Sequence, residues 1–196
     1  MKKFLLVMFA LILLTTSAKA AQPVRIARLP IIFQSTVPDI NVCAELEVKI
    51  ARATHIPLNG TLKVAEYLPP AESSQALNDI WRKMRSENKR AKIQDAMRPL
   101  ADKLDADIVI CPILRQYSQN ESFASGLSGE TYISSQVRVE LIVYDRRTDE
   151  LIDKKATQTY RDSYHPLGTA ATLAKICFDK AIDDSKIFHR IRAIGK

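Results

Sequence analysis

The sequence has little cysteine, and none of it lies at a spacing typical of metal sites. Its three cysteines, Cys43, Cys111 and Cys177, are far apart in the 196 residues. The count is too low for a small fold held together by disulfides, and an odd number leaves at least one thiol unpaired. Cys43 and Cys177 lie on predicted apolar helix faces, where they either form a disulfide bridge or pack as two buried thiols.

Signatures of catalysis are also missing. The chain contains no G-x-S-x-G, H-E-x-x-H, G-x-x-x-x-G-K or G-x-G-x-x-G pattern, which are the local patterns of serine hydrolases, zinc peptidases and nucleotide-binding proteins. We therefore predict a non-enzymatic protein without a catalytic residue, cofactor or metal site. The alternative is a secreted hydrolase with His165 as base, oriented by Asp153 or Asp162; a histidine in a surface loop is the simpler interpretation.

Asp105 and Asp107 are a second candidate site, for acid–base catalysis or for binding a cation. On a strand, two carboxylates separated by one residue point the same way, as a hard cation or an acid–base pair requires. The simpler interpretation is that these short acidic residues accept hydrogen bonds from local backbone donors, because they lie at a predicted junction between a helix and a strand.

A long apolar run is absent beyond the first 20 residues. Residues 4–14 form an uncharged run of 11 residues, too short to span a bilayer core of about 30 Å as a helix. It follows Lys2-Lys3 and precedes Ala18-Lys19-Ala20, which together predict a cleavable signal peptide over 1–20. We therefore expect an exported product that is periplasmic or secreted. Lipid attachment requires a cysteine as the first residue after cleavage, and the first cysteine is Cys43, so we expect the product not to be lipid-anchored.

The remaining residues, 21–196, suit one domain. Cleavage would remove three lysines and no acidic residue, leaving 26 basic against 22 acidic residues. Hydrophobic periodicity predicts strands over 24–33, 62–67 and 108–111, and an antiparallel hairpin over 132–163. It predicts helices over 40–55, around 77–84, over 91–104 with a kink at Pro99, and over 167–185. Pro112 predicts a bulge or a locally unpaired edge.

This order predicts an α/β fold. We expect a single domain with a mixed sheet of about five strands, a carboxy-terminal antiparallel hairpin and about four flanking helices. The polar, glycine-containing segment 118–129 is predicted to be a long loop, and 186–196 a basic carboxy-terminal tail.

Three segments resemble a known superfamily. Residues 25–30 (RIARLP), 104–110 (LDADIVI) and 143–151 (VYDRRTDEL) are similar to the opening strand, the central strand and the hairpin of periplasmic α/β domains of the curli-secretion-channel (CsgG) type, which also resemble the TolB amino-terminal domain. Members are mostly non-catalytic, so the resemblance implies a cell-envelope protein that binds another protein or assembles with itself, through strand edges and the loop at 118–130.

A dense run of positive charge follows the second predicted helix. Its basic residues are Arg82, Lys83, Arg85, Lys89, Arg90 and Lys92, with Glu87 as the only acidic residue among them. Such a patch attracts anionic lipid or envelope polymer, or it is the solvated face of an amphipathic helix. Export and the absence of an aromatic stacking array argue against a nucleic-acid partner.

The export prediction has a direct test. Protein made in its native cells is expected to begin at Ala21, and replacing Ala20 by Leu is expected to retain residues 1–20, because signal peptidase requires small residues at this site. Intact-mass measurement of both proteins distinguishes the two outcomes. A wild-type product that still begins at Met1 would contradict the prediction.

Overall fold

The computed structural model describes residues 23–55, 64–123 and 130–193. The predicted signal peptide over 1–20 lies outside these residues. The strands are β1 Val24–Arg28, β2 Ile32–Phe33, β3 Ala65–Leu68, β4 Ile108–Phe123, β5 Thr131–Asp145 and β6 Glu150–Ser163. The helices are α1 Ile40–Thr54, α2 Pro70–Glu87, α3 Met97–Leu104, α4 Ala170–Ser185 and α5 Ile187–Ala193.

One mixed sheet organises the domain. Its strand order is β3-β1-β4-β5-β6, with β2 pairing the same edge of β4 as β1 does. β1 and β2 run parallel to β4, whereas β4, β5 and β6 are consecutive antiparallel strands. The α/β fold class and the carboxy-terminal hairpin predicted from the sequence are confirmed.

Helices cover the two faces of the sheet unequally. Side chains of α1, α4 and α5 pack on one face, in a core that includes Ile26, Ile110 and Phe178. The other face is covered by α2 and α3, in a second core that includes Val109 and Met97. Residues 108–114 of β4 are buried on both faces, which explains why this segment of the sequence is continuously apolar rather than alternating.

β4 and β5 are longer than the sequence indicated. The predicted loop over 118–129 is wrong for residues 118–123, which pair with residues 131–136 of β5, and the rest of that loop lies outside the described residues. The bulge is also displaced from its predicted position. Pro112 pairs with Leu141, and the register shifts between Leu114 and Gln116, which makes Arg115 the inserted residue.

Two helices differ from their predicted bounds. A short 3₁₀ turn at Ile93–Ala96 precedes α3, so Pro99 falls in the first turn of α3, where proline is tolerated, and the predicted kink is wrong. Residues 187–193, predicted to be a basic tail, form α5. Ile187 and Ile191 are buried in the first core, which holds this helix against the domain.

Candidate functional site

The predicted basic patch lies at the end of α2 and in the segment that follows it. Its six cationic residues are all exposed, and none of them forms an ion pair with a carboxylate among the described residues. The guanidinium of Arg85 lies 5.8 Å from the centre of the Trp81 ring, a cation–π distance. The structure therefore places the patch beside a partly buried aromatic side chain.

An apolar groove adjoins this patch, and sequence reasoning did not predict it. It has a volume of about 320 Å³ and lies between the chain around β2 and one face of α2. Its lining residues are Leu29, Pro30, Ile31, Ile32, Gln34, Ser74, Leu77, Asn78, Trp81 and Ile93.

A buried ion pair lies close to the groove. Glu140 of β5 has no exposed surface, and its carboxylate accepts hydrogen bonds from Arg115, the bulge residue of β4. Gln94 donates a further hydrogen bond of 2.7 Å to Glu140. Arg115 also donates to the side chain of Gln34, which lines the groove. A carboxylate this deeply buried requires such partners, because an unpaired buried charge costs several kcal/mol.

Asp153 of β6 extends this cluster. Gln94 donates to its carboxylate over 3.1 Å, and the Lys155 ammonium lies 3.0 Å from the same oxygen. Burial raises the pKa of Glu140 above its ordinary value, and a hydrogen bond shared with Asp153 raises it further. Burial opposes ionisation of Asp153 as well, but the bonds from Gln94 and Lys155 lower its pKa overall. Glu140 is therefore the member of the pair that retains a proton more readily.

This separation of two carboxyl pKa values resembles that of an acid–base pair, but the geometry does not allow catalysis there. A substrate has no access to Glu140, because its side chain has no exposed surface. The cluster therefore acts as a structural network at the border between the sheet and α2–α3.

The alternative hydrolase site would combine His165 with Asp153 or Asp162, and the structure separates these two aspartates widely. His165 is exposed, and its Nδ1 accepts a hydrogen bond of 3.2 Å from the Leu167 backbone. Asp162 accepts from the Ser163 backbone at 2.7 Å. Asp153 lies nine positions before Asp162 on the same strand, a separation of about 30 Å at ~3.3 Å per residue, so at most one of the two aspartates lies beside His165.

Asp105 and Asp107 take the structural role that the sequence allowed. Asp107 accepts a hydrogen bond of 2.9 Å from the Arg25 backbone. Asp105 ends α3 with a left-handed backbone, at φ 48°, and pairs with Arg25 and Arg146 at 2.9 and 2.8 Å. Hydrogen bonding to Arg146 is the main cause that lowers the pKa of Asp105. Among the residues that the structure describes, no group of three His, Cys, Asp or Glu side chains is placed to hold a metal ion.

All three cysteines are free thiols in the structure. The Cys43 thiol donates to the Pro38 carbonyl at 3.5 Å, and the Cys177 thiol donates to the Val137 carbonyl at 3.9 Å. No bridge joins Cys43 and Cys177 in the structure, where Cys177 is buried and Cys43 is half-buried. Burial raises the pKa of Cys177 to about 11 and that of Cys111 to about 12, so neither is a reactive thiolate at neutral pH.

Beyond the Arg115 bulge, one face of the three long strands is uncovered. The even-numbered residues of β5 face the same side as Ile142 and Tyr144, which belong to the second core. From residue 138 towards the amino end of β5 these positions are exposed or half-buried, while Val137 and Ile133 on the opposite face are buried. The uncovered face comprises Gln116, Ser118, Asn120, Ser134, Gln136, Arg138, Thr157, Thr159 and Arg161, which are paired across the strands.

The far end of these strands carries large apolar side chains in contact with solvent. Their exposed fractions are 79% for Phe123, 42% for Tyr132, 51% for Tyr164 and 64% for Leu167. β6 is also the last strand of the sheet, and its outer edge pairs with no strand in the described parts of the chain. An exposed apolar cluster beside a free strand edge is the combination that forms protein–protein contacts.

Comparison with known proteins finds no matching family model and no matching curated sequence. Solved structures do match. Lipoprotein GNA1162 from Neisseria meningitidis is 18% identical, with 83% of this chain and 100% of that chain covered and a TM-score of 0.39. The hypothetical protein CT253 from Chlamydia trachomatis is 14% identical, with 88% and 98% covered and a TM-score of 0.43.

The LpoB carboxy-terminal domain from Salmonella enterica is a further match, at 7% identity and a TM-score of 0.35, covering 76% of this chain and 90% of that chain. The matches thus include bacterial lipoproteins. Since these identities are below 25% and these TM-scores below 0.5, they assign no function to this chain. No helix in the described residues is both long and apolar enough to cross a bilayer.

The Arg115–Glu140 pair gives a stability prediction. Replacing Arg115 by Met leaves a buried carboxylate without its main partner, and we expect the free energy of unfolding to fall by about 2–4 kcal/mol. The double variant Arg115→Met/Glu140→Leu removes both charges and is expected to recover most of that loss. Urea unfolding at about pH 8 measures both values. Equal destabilisation by the single and double variants would contradict the proposed role of the pair.

The raised pKa of Glu140 gives a prediction about pH. A carboxyl whose pKa is raised by folding contributes stability that is complete below its unfolded pKa, and this contribution is lost as the pH rises through the folded pKa. Glu140→Gln stays neutral throughout. The unfolding free energy of the wild type minus that of Glu140→Gln is therefore expected to fall as the pH rises above about 4, the pKa of a glutamate in the unfolded chain. A difference that rises, or stays constant, would contradict the direction of the shift.

Proposed function

We propose that this chain is an exported, non-enzymatic protein of the cell envelope that binds another protein or assembles with itself. The observation that carries this proposal is the uncovered face of β4, β5 and β6, together with the free edge of β6. A partner can bind to such a surface by covering the exposed polar face and by pairing a strand with the free edge.

The free edge is long enough to support strand addition. β6 spans 14 residues, whereas edge strands that are protected from pairing are usually short, irregular or highly charged. Lys154 and Lys155 protect its first half, and Asp153 and Glu140 partly compensate Lys155. The second half carries Thr157 and Thr159, which are exposed and uncharged. We place the contact on this second half.

Export and envelope location belong to the proposal as well. The sequence pattern over 1–20 supports cleavage before Ala21, and the lack of a cysteine at that position supports a product without a lipid anchor. The resemblance to domains of the curli-secretion-channel and TolB amino-terminal type fits the same location. We include membership of that superfamily in the proposal.

Two other functions, a hydrolase and a binder of anionic polymer, have less support. A hydrolase centred on His165 would need a partner for its Nδ1, but that atom accepts a hydrogen bond from the Leu167 backbone instead. A binder of anionic envelope polymer would use the basic patch, whose charges are unpaired, but the apolar groove beside them has no role in that function.

The assembly proposal is tested by charge added to the uncovered face. Thr157→Glu/Thr159→Glu is expected to weaken assembly or partner binding by at least about tenfold, because carboxylates would be desolvated in a contact that now buries threonines. Light scattering of residues 21–196 measures self-assembly. Crosslinking from residue 161, which is exposed on the same face, in native cells and followed by mass spectrometry, identifies a partner.

The matched control adds the same charge on two helices, α1 and α2, away from β6. Ala44 and Gln75 are exposed helix residues, so Ala44→Glu/Gln75→Glu should leave assembly and crosslinking unchanged. A wild-type protein that is monomeric and captures no envelope protein would overturn the proposal. Equal loss in both variants would overturn the placement of the contact on β6.

A further inference from the structure

The groove and the basic patch are parts of one surface. Ser74, Leu77, Asn78 and Trp81 are spaced three and four apart, so they form one stripe along α2 that faces the groove. The next turn of the same stripe brings Arg85, whose guanidinium lies against the Trp81 ring. On the other side Ile93, which lines the groove, directly follows Lys92 of the patch. The groove therefore opens beside Arg85 and Lys92, two of the six patch cations.

The positive charge of this patch is uncompensated, in contrast to charges elsewhere on the surface. Lys103 pairs with Asp79, Arg146 with Asp105, and Arg190 with Glu150. The six patch residues have no such partner among the described carboxylates. Exposed like charges repel one another and attract a ligand of opposite sign, and the attraction is greatest where low-dielectric walls adjoin them.

The groove supplies those walls, and its size restricts the ligand. A volume of about 320 Å³ is at the lower limit of the range for small-molecule pockets, ~300–1,000 Å³, and accommodates about two leucine-sized side chains. The long acyl chains of a lipid exceed it, and a polyanionic polymer has no apolar group to place there. The polar side chains of Gln34 and Asn78 lie at its walls, where they can hydrogen-bond the backbone of an extended peptide.

We propose that the groove and the basic patch together bind an acidic segment of a partner protein. Apolar side chains of that segment enter the groove beside Trp81, and its flanking carboxylates contact the patch cations. This surface uses residues different from those of the assembly contact on β6, so the two proposals succeed or fail separately.

The test uses a labelled synthetic peptide with two leucines flanked on both sides by glutamates, titrated with residues 21–196 and followed by fluorescence anisotropy. We expect it to bind at least about tenfold more tightly than an all-glutamate peptide of equal length, since burial of two leucines adds a few kcal/mol before entropic costs. Added salt is expected to weaken binding, because exposed charge pairs are screened.

Two variants locate the site. Asn78→Trp fills the groove from an exposed position and is expected to abolish the preference for leucine. Arg85→Glu/Lys89→Glu/Lys92→Glu, which includes both cations that border the groove, is expected to weaken binding by at least about tenfold. The charge-matched control, Arg52→Glu/Lys180→Glu/Lys186→Glu, changes three exposed cations outside both the patch and the uncovered face and should leave affinity within about twofold. Circular dichroism and unfolding midpoints show that each variant is folded.

Three results would overturn the inference. The first is no binding of the leucine–glutamate peptide at low salt. The second is equal loss of affinity in the patch and control triple variants, which would show an effect of net charge alone. The third is binding of polyphosphate, or of phosphatidylglycerol vesicles, that is as tight as peptide binding and insensitive to Asn78→Trp, which would assign the patch to an anionic polymer or a membrane.

Discussion

The ion pair between Arg115 and Glu140 lies at the point where the sheet changes from being covered on both faces to being covered on one. Before it, residues 108–114 of β4 are covered on both faces; after it, one face is left open. A fully buried Glu140 is tolerable because the bulge directs Arg115 onto it, and a bulge of this kind re-aims one side chain while the ladder continues on either side. The bulge, the start of the uncovered face and the groove wall at Gln34 all meet at this contact.

Local patterns in the sequence predicted the parts of the fold whose burial is uniform. Val137, Val139, Leu141 and Val143 recur at every second position because this face of β5 packs in the first core, and Ile108 to Cys111 are continuously apolar because both faces are covered. The segment 118–123 was predicted wrongly. Its serine, glutamine and asparagine residues have low strand propensity, and they are held in β4 by pairing with β5, a tertiary effect that local propensity does not contain.

The candidate sites likewise differ in whether local sequence could predict them. The basic patch could be predicted because its residues are consecutive in sequence, but the groove joins Leu29 and Ile32 to Trp81 and Ile93, which only the fold brings together. Glu140 was missed because it appeared to be an ordinary outward position of an alternating strand. The sequence does contain one indication of this burial. Arg138 and Glu140 share a face of β5 with Ile142 and Tyr144, and a change from charged to apolar residues along one face indicates where helices begin to cover it.

The network around Glu140 also joins the two proposed contact surfaces. Gln34 lines the groove and accepts from Arg115, while Gln94 donates to Glu140 and directly follows Ile93 on the other wall of the groove. The uncovered face begins at Gln116, next to Arg115 along the chain. The groove lies at α2, which covers the same face of the sheet that is left open beyond Arg115. A segment bound in the groove would therefore lie on the same side of the sheet as a partner on β6.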